Sequence, residues 1–141
     1  MQNGAERQSV SKLVFDTSAL LAVINVEPGG ERASELLSEV DHEALVSAVN
    51  LSETQAVLIN RGMPEDKAWK LISEFNLDVV AFDAEQARSA GALIAQTRKF
   101  GLSFGDRACL ALGMRERCVV VTADRAWMKL KVGVQVELVR H

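Results

Sequence analysis

Along its 141 residues the chain switches repeatedly between two hydrophobic periods, and this alternation limits its fold more than any other feature. Short apolar runs of strand length predict five β-strands, at Lys12–Phe15, Ala44–Ser47, Asp78–Phe82, Cys118–Thr122 and Gln135–Val139. Helical patterns fill the intervals. Thr17–Asn25 reads as a short buried helix stopped by Glu27–Pro28–Gly29–Gly30, and Gly30–Val40 as an amphipathic one carrying Ala33, Leu36, Leu37 and Val40. Val49–Arg61 should end at Gly62, and Pro64 should start a helix reaching about Phe75. A long helix is expected over Asp83–Phe100, with Ala87, Ala90, Gly91 and Ile94 on its packing stripe. Ser103 and Asp106 form a capping-box pattern for a last helix ending near Gly113. Strands alternating with helices predict an α/β sandwich, a parallel sheet covered on both faces.

With 48% apolar residues the chain has enough material for one domain, expected over residues 12–141 and preceded by a polar, flexible lead-in at 1–11. No apolar run approaches the length of about 20 residues needed to cross a membrane. The lead-in also lacks a secretory pattern, so a soluble cytoplasmic protein is expected. Cys109 and Cys118 lie in apolar runs and read as small core residues. The two histidines, His42 and His141, leave little room for chemistry based on an imidazole or a nitrogen-ligated zinc ion. A net charge of −3 argues against a protein that coats nucleic acid nonspecifically. It is compatible with a carboxylate cluster built to receive a cation.

In parallel sheets, ligands gather beyond the carboxyl ends of the strands. Asp16, Asp83 and Asp124 all follow predicted strands. Each also has an ordinary role as a helix N-cap, and Asp106 one as a first-turn acid. Glu53 follows Asn50–Leu51–Ser52 early in a helix, where a solvated face is the ordinary setting for a glutamate.

Taken together, four segments resemble the acidic motifs of PIN-domain nucleases, and especially the toxin ribonucleases of the VapC type. They are Val14–Phe15–Asp16–Thr17–Ser18–Ala19–Leu20, Asn50–Leu51–Ser52–Glu53–Thr54, Leu102–Ser103–Phe104–Gly105–Asp106–Arg107–Ala108 and Val121–Thr122–Ala123–Asp124–Arg125. The likeness runs from about Lys12 to Val139, in the family's order. It implies a PIN-like three-layer α/β/α sandwich around a parallel five-stranded sheet. The first and fourth strands would then be neighbours near its centre, with the third at an edge. Asp16 and Asp124 would meet at one end of the sheet, joined by Asp106 and Glu53 from helices. Asp83 would lie on the far edge and only cap.

The resemblance further implies an endoribonuclease acting as the toxin of a toxin–antitoxin pair, with RNA as substrate, a small cognate antitoxin as partner and a homodimer as its assembly. Clustered carboxylates without histidine suit Mg2+ or Mn2+, because like charges about 4 Å apart repel by roughly 4 kcal/mol at an effective dielectric near 20. Asp16, Asp106 and Asp124 are the expected ligands, direct or through water, and Glu53 would hold a water or a second ion. The metal would activate the attacking water, leaving a 5′-phosphate and a 3′-hydroxyl. Ser18 and Thr122 are placed either to orient those ligands or simply to cap. Arg107 and Arg125 could contact phosphates or form surface ion pairs.

Other readings fit less well. A phosphoacceptor receiver needs an acidic pair after the first strand and a lysine after the fifth, where this chain has Asp16–Thr17 and Arg140–His141. A D-x-D phosphatase fails at Ser18, and no phosphate-cradling glycine loop follows the first strand. The alternative from another class is a PIN-like module that has lost catalysis and only binds protein or RNA. The presence of all four acids weighs against it.

Overall fold

The computed structural model describes residues 11–140. The expected lead-in at 1–11 lies outside the described residues except for Ser11, which opens the first strand. The strands are β1 (Ser11–Phe15), β2 (His42–Ser47), β3 (Asp78–Val80), β4 (Val119–Thr122) and β5 (Val136–Leu138). All pairings are parallel and the strand order is β3-β2-β1-β4-β5. The first and fourth strands are therefore neighbours and the third is an edge, as the motif resemblance implied.

Between the strands run helices α1 (Thr17–Ile24), α2 (Gly30–Ser38), α3 (Ala48–Asn60), α4 (Glu65–Ser73), α5 (Ala84–Ala92), the single turn α6 (Ile94–Thr97) and α7 (Phe104–Glu116). Alternation along the strands divides the core. Val14, Leu45 and Val120 point to one face, where they meet Ala90, Leu93 and the Cys109–Leu112 segment. Leu13, Phe15, Val46 and Val121 point to the other, against Ala19, Leu20, Ala33 and Leu36. A smaller cluster of Leu21, Leu58, Ala68 and Ile72 ties α1 to α3 and α4. Both faces of the sheet are thus covered, giving the three-layer sandwich. Among the described residues no helix is long and apolar enough to cross a membrane.

Four sequence expectations need correction. The α2 helix stops at Ser38, because Glu39 turns extended (φ −69°, ψ 131°), so Val40 is left 93% exposed instead of on the packing face. Pro64 stands as the N-cap of α4, one position before the helix proper. The helix expected over Asp83–Phe100 breaks after Ala92, and its buried stripe is Gln86, Ala90, Leu93 and Thr97, leaving Ala87, Gly91 and Ile94 exposed. Two polar residues on that stripe disguised it: Gln86 donates to Ala111 O (3.5 Å) and Thr97 to Leu93 O (2.9 Å), which satisfies both inside the core. The last major helix continues through Gly113 to Glu116. A Cβ at Gly113 would stand 2.4 Å from Val120 Cγ2, so glycine lets α7 lie directly on β4.

Candidate active site

Parallel pairing of β1 with β4 sets Phe15 beside Val121, and the next residues, Asp16 and Thr122, emerge together at the carboxyl end of the sheet. Asp16 caps α1, with Oδ1 accepting from Ala19 N–H (2.8 Å). The capping role and a place in the site therefore coexist. The carboxylate is 2% exposed. Thr122 donates to Oδ2 (2.5 Å), and the Ser18 hydroxyl shares its proton between the two oxygens (2.8 and 2.9 Å). The same two hydroxyls accept from the strand-to-helix turn, Ser18 Oγ from Ala123 N–H (2.9 Å) and Thr122 Oγ1 from Asp124 N–H (3.0 Å). Ser18 and Thr122 thus join Asp16 to the backbone that carries Asp124, which is more than plain capping. Asp124 itself is exposed and accepts from Ala126 N–H (3.0 Å).

The second pair of acids comes from helices. Asp106 closes the capping box of α7, accepting from Ser103 N–H (2.9 Å) while its own N–H donates to Ser103 Oγ (3.2 Å). Glu53, in the second turn of α3, accepts at Oε1 from the Thr17 hydroxyl (2.5 Å). Fully buried Asn50 places that hydroxyl: its Nδ2 donates to Thr17 Oγ1 (3.2 Å) and to Gly105 O (3.1 Å), linking α1, α3 and α7. Asn50 Oδ1 has no partner, a buried acceptor of the kind that costs about 1–3 kcal/mol. Thr17 and Asn50 were quoted in the motifs without a role. Their spacing from Asp16 and Glu53 was the available signal, but the contact between α1 and α3 is what gives it meaning.

Electrostatics tie the acids together. Burial pushes the Asp16 carboxyl up to about 7, against the lowering effect of Thr122, Ala19 and Ser18, and Asp106 adds to the rise. Asp106 is also raised, by burial first and then by Glu53 and Asp124, with the Ser103 hydrogen bonds opposing. Asp83 stands apart at the edge strand. It caps α5 through Gln86 N–H (2.9 Å) and pairs with Arg115 at 3.7 Å. Arg107 donates to Ala90 O (3.1 Å) and lies over the Phe104 ring, so its guanidinium is anchored within the fold. Cys109 is fully buried, and burial pushes its thiol up, as befits a core residue.

Among the described residues no three His, Cys, Asp or Glu side chains are gathered tightly enough to hold a metal ion as they stand. Each carboxylate is instead held by hydroxyls and backbone N–H groups. The donor set nevertheless fits a hard divalent cation. It is all oxygen, it holds two carboxyls raised by burial and by neighbouring acids, and it includes a cradle at Gly105, where a Cβ would meet Glu53 Oε1 at 2.5 Å. A cation at this end of the sheet would offset that surplus of buried negative charge.

The PIN domain family matches residues 13–132. The VapC ribonuclease Mb0640 of Mycobacterium bovis is 36% identical over 108 residues, covering 72% of this chain and 80% of the relative. Ribonuclease VapC42 of Mycobacterium tuberculosis is 33% identical over 103 residues, covering 72% and 76%. Among solved structures, VapC20 of Mycobacterium tuberculosis, described as a sarcin–ricin loop cleaving toxin, superposes with a TM-score of 0.69 at 19% identity over 87% of this chain and 98% of that one. DNA-bound VapBC from Salmonella typhimurium gives a TM-score of 0.68 at 19% identity, over 92% and 99%. At that identity the structural likeness speaks for the fold.

Proposed function

The chain belongs to the PIN-domain family, and from that premise we propose that it is a Mg2+- or Mn2+-dependent endoribonuclease, the toxin of a toxin–antitoxin pair. What supports the reading is that Asp16 and Asp124 follow the neighbouring strands β1 and β4, that Asp106 lies near enough to raise Asp16 and to be raised by Glu53 and Asp124, and that hydroxyls orient Asp16 and Glu53. The ribonuclease names of relatives above 30% identity support the activity.

In this reading Asp16, Asp106 and Asp124 hold the metal, directly or through water, and Glu53 holds a water or a second ion. When bound, the cation supplies an activated water for hydrolysis of an RNA phosphodiester and offsets the charge that builds up on the phosphate. The chain's own contribution is orientation. Thr122 and Ser18 fix both oxygens of Asp16, and Thr17, set by Asn50, fixes Glu53. Among the described residues no imidazole is placed near the four acids, so the groups of the set that can act as bases are the carboxylates.

A cognate small protein as antitoxin is supported by the VapBC complexes among the structural neighbours. A homodimer in the cytoplasm, built from one domain over residues 12–141 behind a lead-in at 1–11, completes the proposal. The test compares RNA cleavage with Mg2+, with EDTA and with Asp16→Asn. Cleavage should require both the metal and the carboxylate, and equal cleavage by the variant would overturn the assignment. Expressed alone, the chain should slow bacterial growth, and its co-encoded partner should relieve that effect.

A further inference from the structure

Beside the acids, on the side of Glu53, a pocket of about 560 Å3 opens between the start of α3 and the start of α7. One wall is small, with Ala48 and Ala56; the other is aromatic, with Phe82 and Phe104. The two rings meet edge to face, with centroids 5.5 Å apart and planes at 85°. Phe82 is packed against the core, whereas Phe104, the first residue of α7, is 51% exposed. Such exposure of a large ring beside a candidate catalytic carboxylate is not required by folding, since Phe104 precedes the buried part of its helix.

The chemistry of the lining selects the occupant. No lysine or arginine lines this pocket, the nearest guanidinium placed being that of Arg107 over the Phe104 ring, and Glu53 forms part of its wall, which disfavours a phosphate there. The opposite flank of the acids is different. There a second pocket combines Ser18, Glu27 and Asp124 with Arg125 and Arg140. A polynucleotide crossing the site would meet guanidinium groups among the acids on that flank and, on this one, an aromatic recess with a single carboxylate in its wall. Ser52 and Ser103 add hydroxyls at the rim. Flat aromatic surface, hydroxyls and a carboxylate acceptor are what a nucleobase uses: a face to stack on and groups to meet its edge.

We propose that this pocket is a nucleobase subsite, in which Phe104, braced by Phe82, stacks an unpaired base of the RNA next to the bond to be cut. Phe104 is then a specificity-determining residue. A base held in this recess cannot remain stacked in a duplex, so the site selects single-stranded or looped RNA. The inference rests on the ribonuclease reading and adds to it the residue that holds a base beside the bond to be cut.

The test measures binding of a short RNA made noncleavable by methylene in place of its bridging 3′-oxygens, by fluorescence anisotropy in Mn2+, using the full chain, Phe104→Ala and Phe104→Trp. Phe104→Ala should weaken binding about tenfold or more, the usual effect of removing a stacking platform, while Phe104→Trp should retain it. The same RNA is then made abasic at one position at a time. One position should weaken wild type strongly and Phe104→Ala hardly at all, because both changes remove the same contact. Retention of the fold is checked by melting, which the exposed ring and the helix preference of alanine favour. Unchanged affinity for Phe104→Ala, or abasic and Phe104→Ala losses that simply add, would overturn the subsite and leave the nuclease reading standing. A wild-type chain that neither binds nor cuts RNA would remove both. RNA binding unchanged in Phe104→Ala, together with loss of binding to the co-encoded protein, would reassign the recess to a protein side chain and overturn the proposal.

Discussion

A Cβ built on Gly105 would stand 2.5 Å from Oε1 and 2.8 Å from Oε2 of Glu53, so the glycine at the start of α7 is what lets the α3 carboxylate reach the site. The obstructing atoms belong to the far end of a flexible side chain. Gly105→Ala should therefore leave the fold intact, or even gain up to about 1 kcal/mol from helix preference, while forcing Glu53 away from Thr17. The expected outcome is an unchanged or slightly raised melting temperature with RNA cleavage reduced about tenfold or more. Cleavage at the wild-type rate by a folded Gly105→Ala chain would show that the position of Glu53 is not critical.

Asp106 and Asp83 offer a matched pair, since each accepts from a backbone N–H at a helix start. Asparagine caps about as well as aspartate, so both Asn variants should melt within about 1 kcal/mol of wild type. Only Asp106→Asn should lose metal-dependent cleavage, because Asp106 alone of the two shares its surroundings with Glu53 and Asp124. Kinetics on the two purified variants decide the matter. Equal losses would mean that the caps, and not the charge at the site, carry the activity.

The alternation of periods along the chain is enough to reach a covered parallel sheet, and the motif order is enough to bring β1 beside β4. What escaped the sequence depends on contacts between elements. The α5 face is rotated by one residue because Gln86 and Thr97 can be satisfied by backbone carbonyls inside the core, which no hydrophobic pattern reveals. Gly113 reads as a helix end, but its missing side chain serves the approach of Val120. The four acids stand out in the sequence only as a set, through the order of their motifs. Their supports were less so: Ser18 and Thr122 each sit two positions from an aspartate, a spacing that suggests an interaction without telling that both converge on Asp16. Thr17 and Asn50 matter only because α1 packs on α3.

A cation that binds only the folded chain stabilises it by about 2.7 kcal/mol at a hundredfold excess over its Kd, enough to raise the melting temperature by several degrees in a domain of this size. Saturating Mn2+ should produce such a shift in wild type and a much smaller one in Asp16→Asn. Calorimetry or fluorescence melting reads it directly. Indifference of the wild type to millimolar Mn2+, both alone and with a noncleavable RNA, would count against a metal site at these acids.

The last prediction concerns pH and the burial of Asp16. Its carboxyl titrates at about 7 in the folded chain against 3.8 in an ordinary setting, so between those values the native state holds a proton that the unfolded chain releases. Stability from this group therefore falls as pH rises through that window, and above about pH 7 the folded chain carries a buried, ionised carboxylate at a cost of a few kcal/mol at most. Asp16→Asn removes the charge but keeps a carbonyl to accept from Ala19 N–H. Without metal, the variant should gain stability over wild type at pH 8, and this gain should shrink steadily as the pH is lowered to 5. Mn2+ should reverse the order at pH 8, because the ionised carboxylate that weakens the metal-free chain is the form that binds a cation. Urea unfolding of both proteins at several pH values, with EDTA and with Mn2+, measures all four arms. A stability difference that does not vary with pH in EDTA would show that Asp16 is not strained by its burial, and the account of its role as a charge awaiting a cation would fall with it.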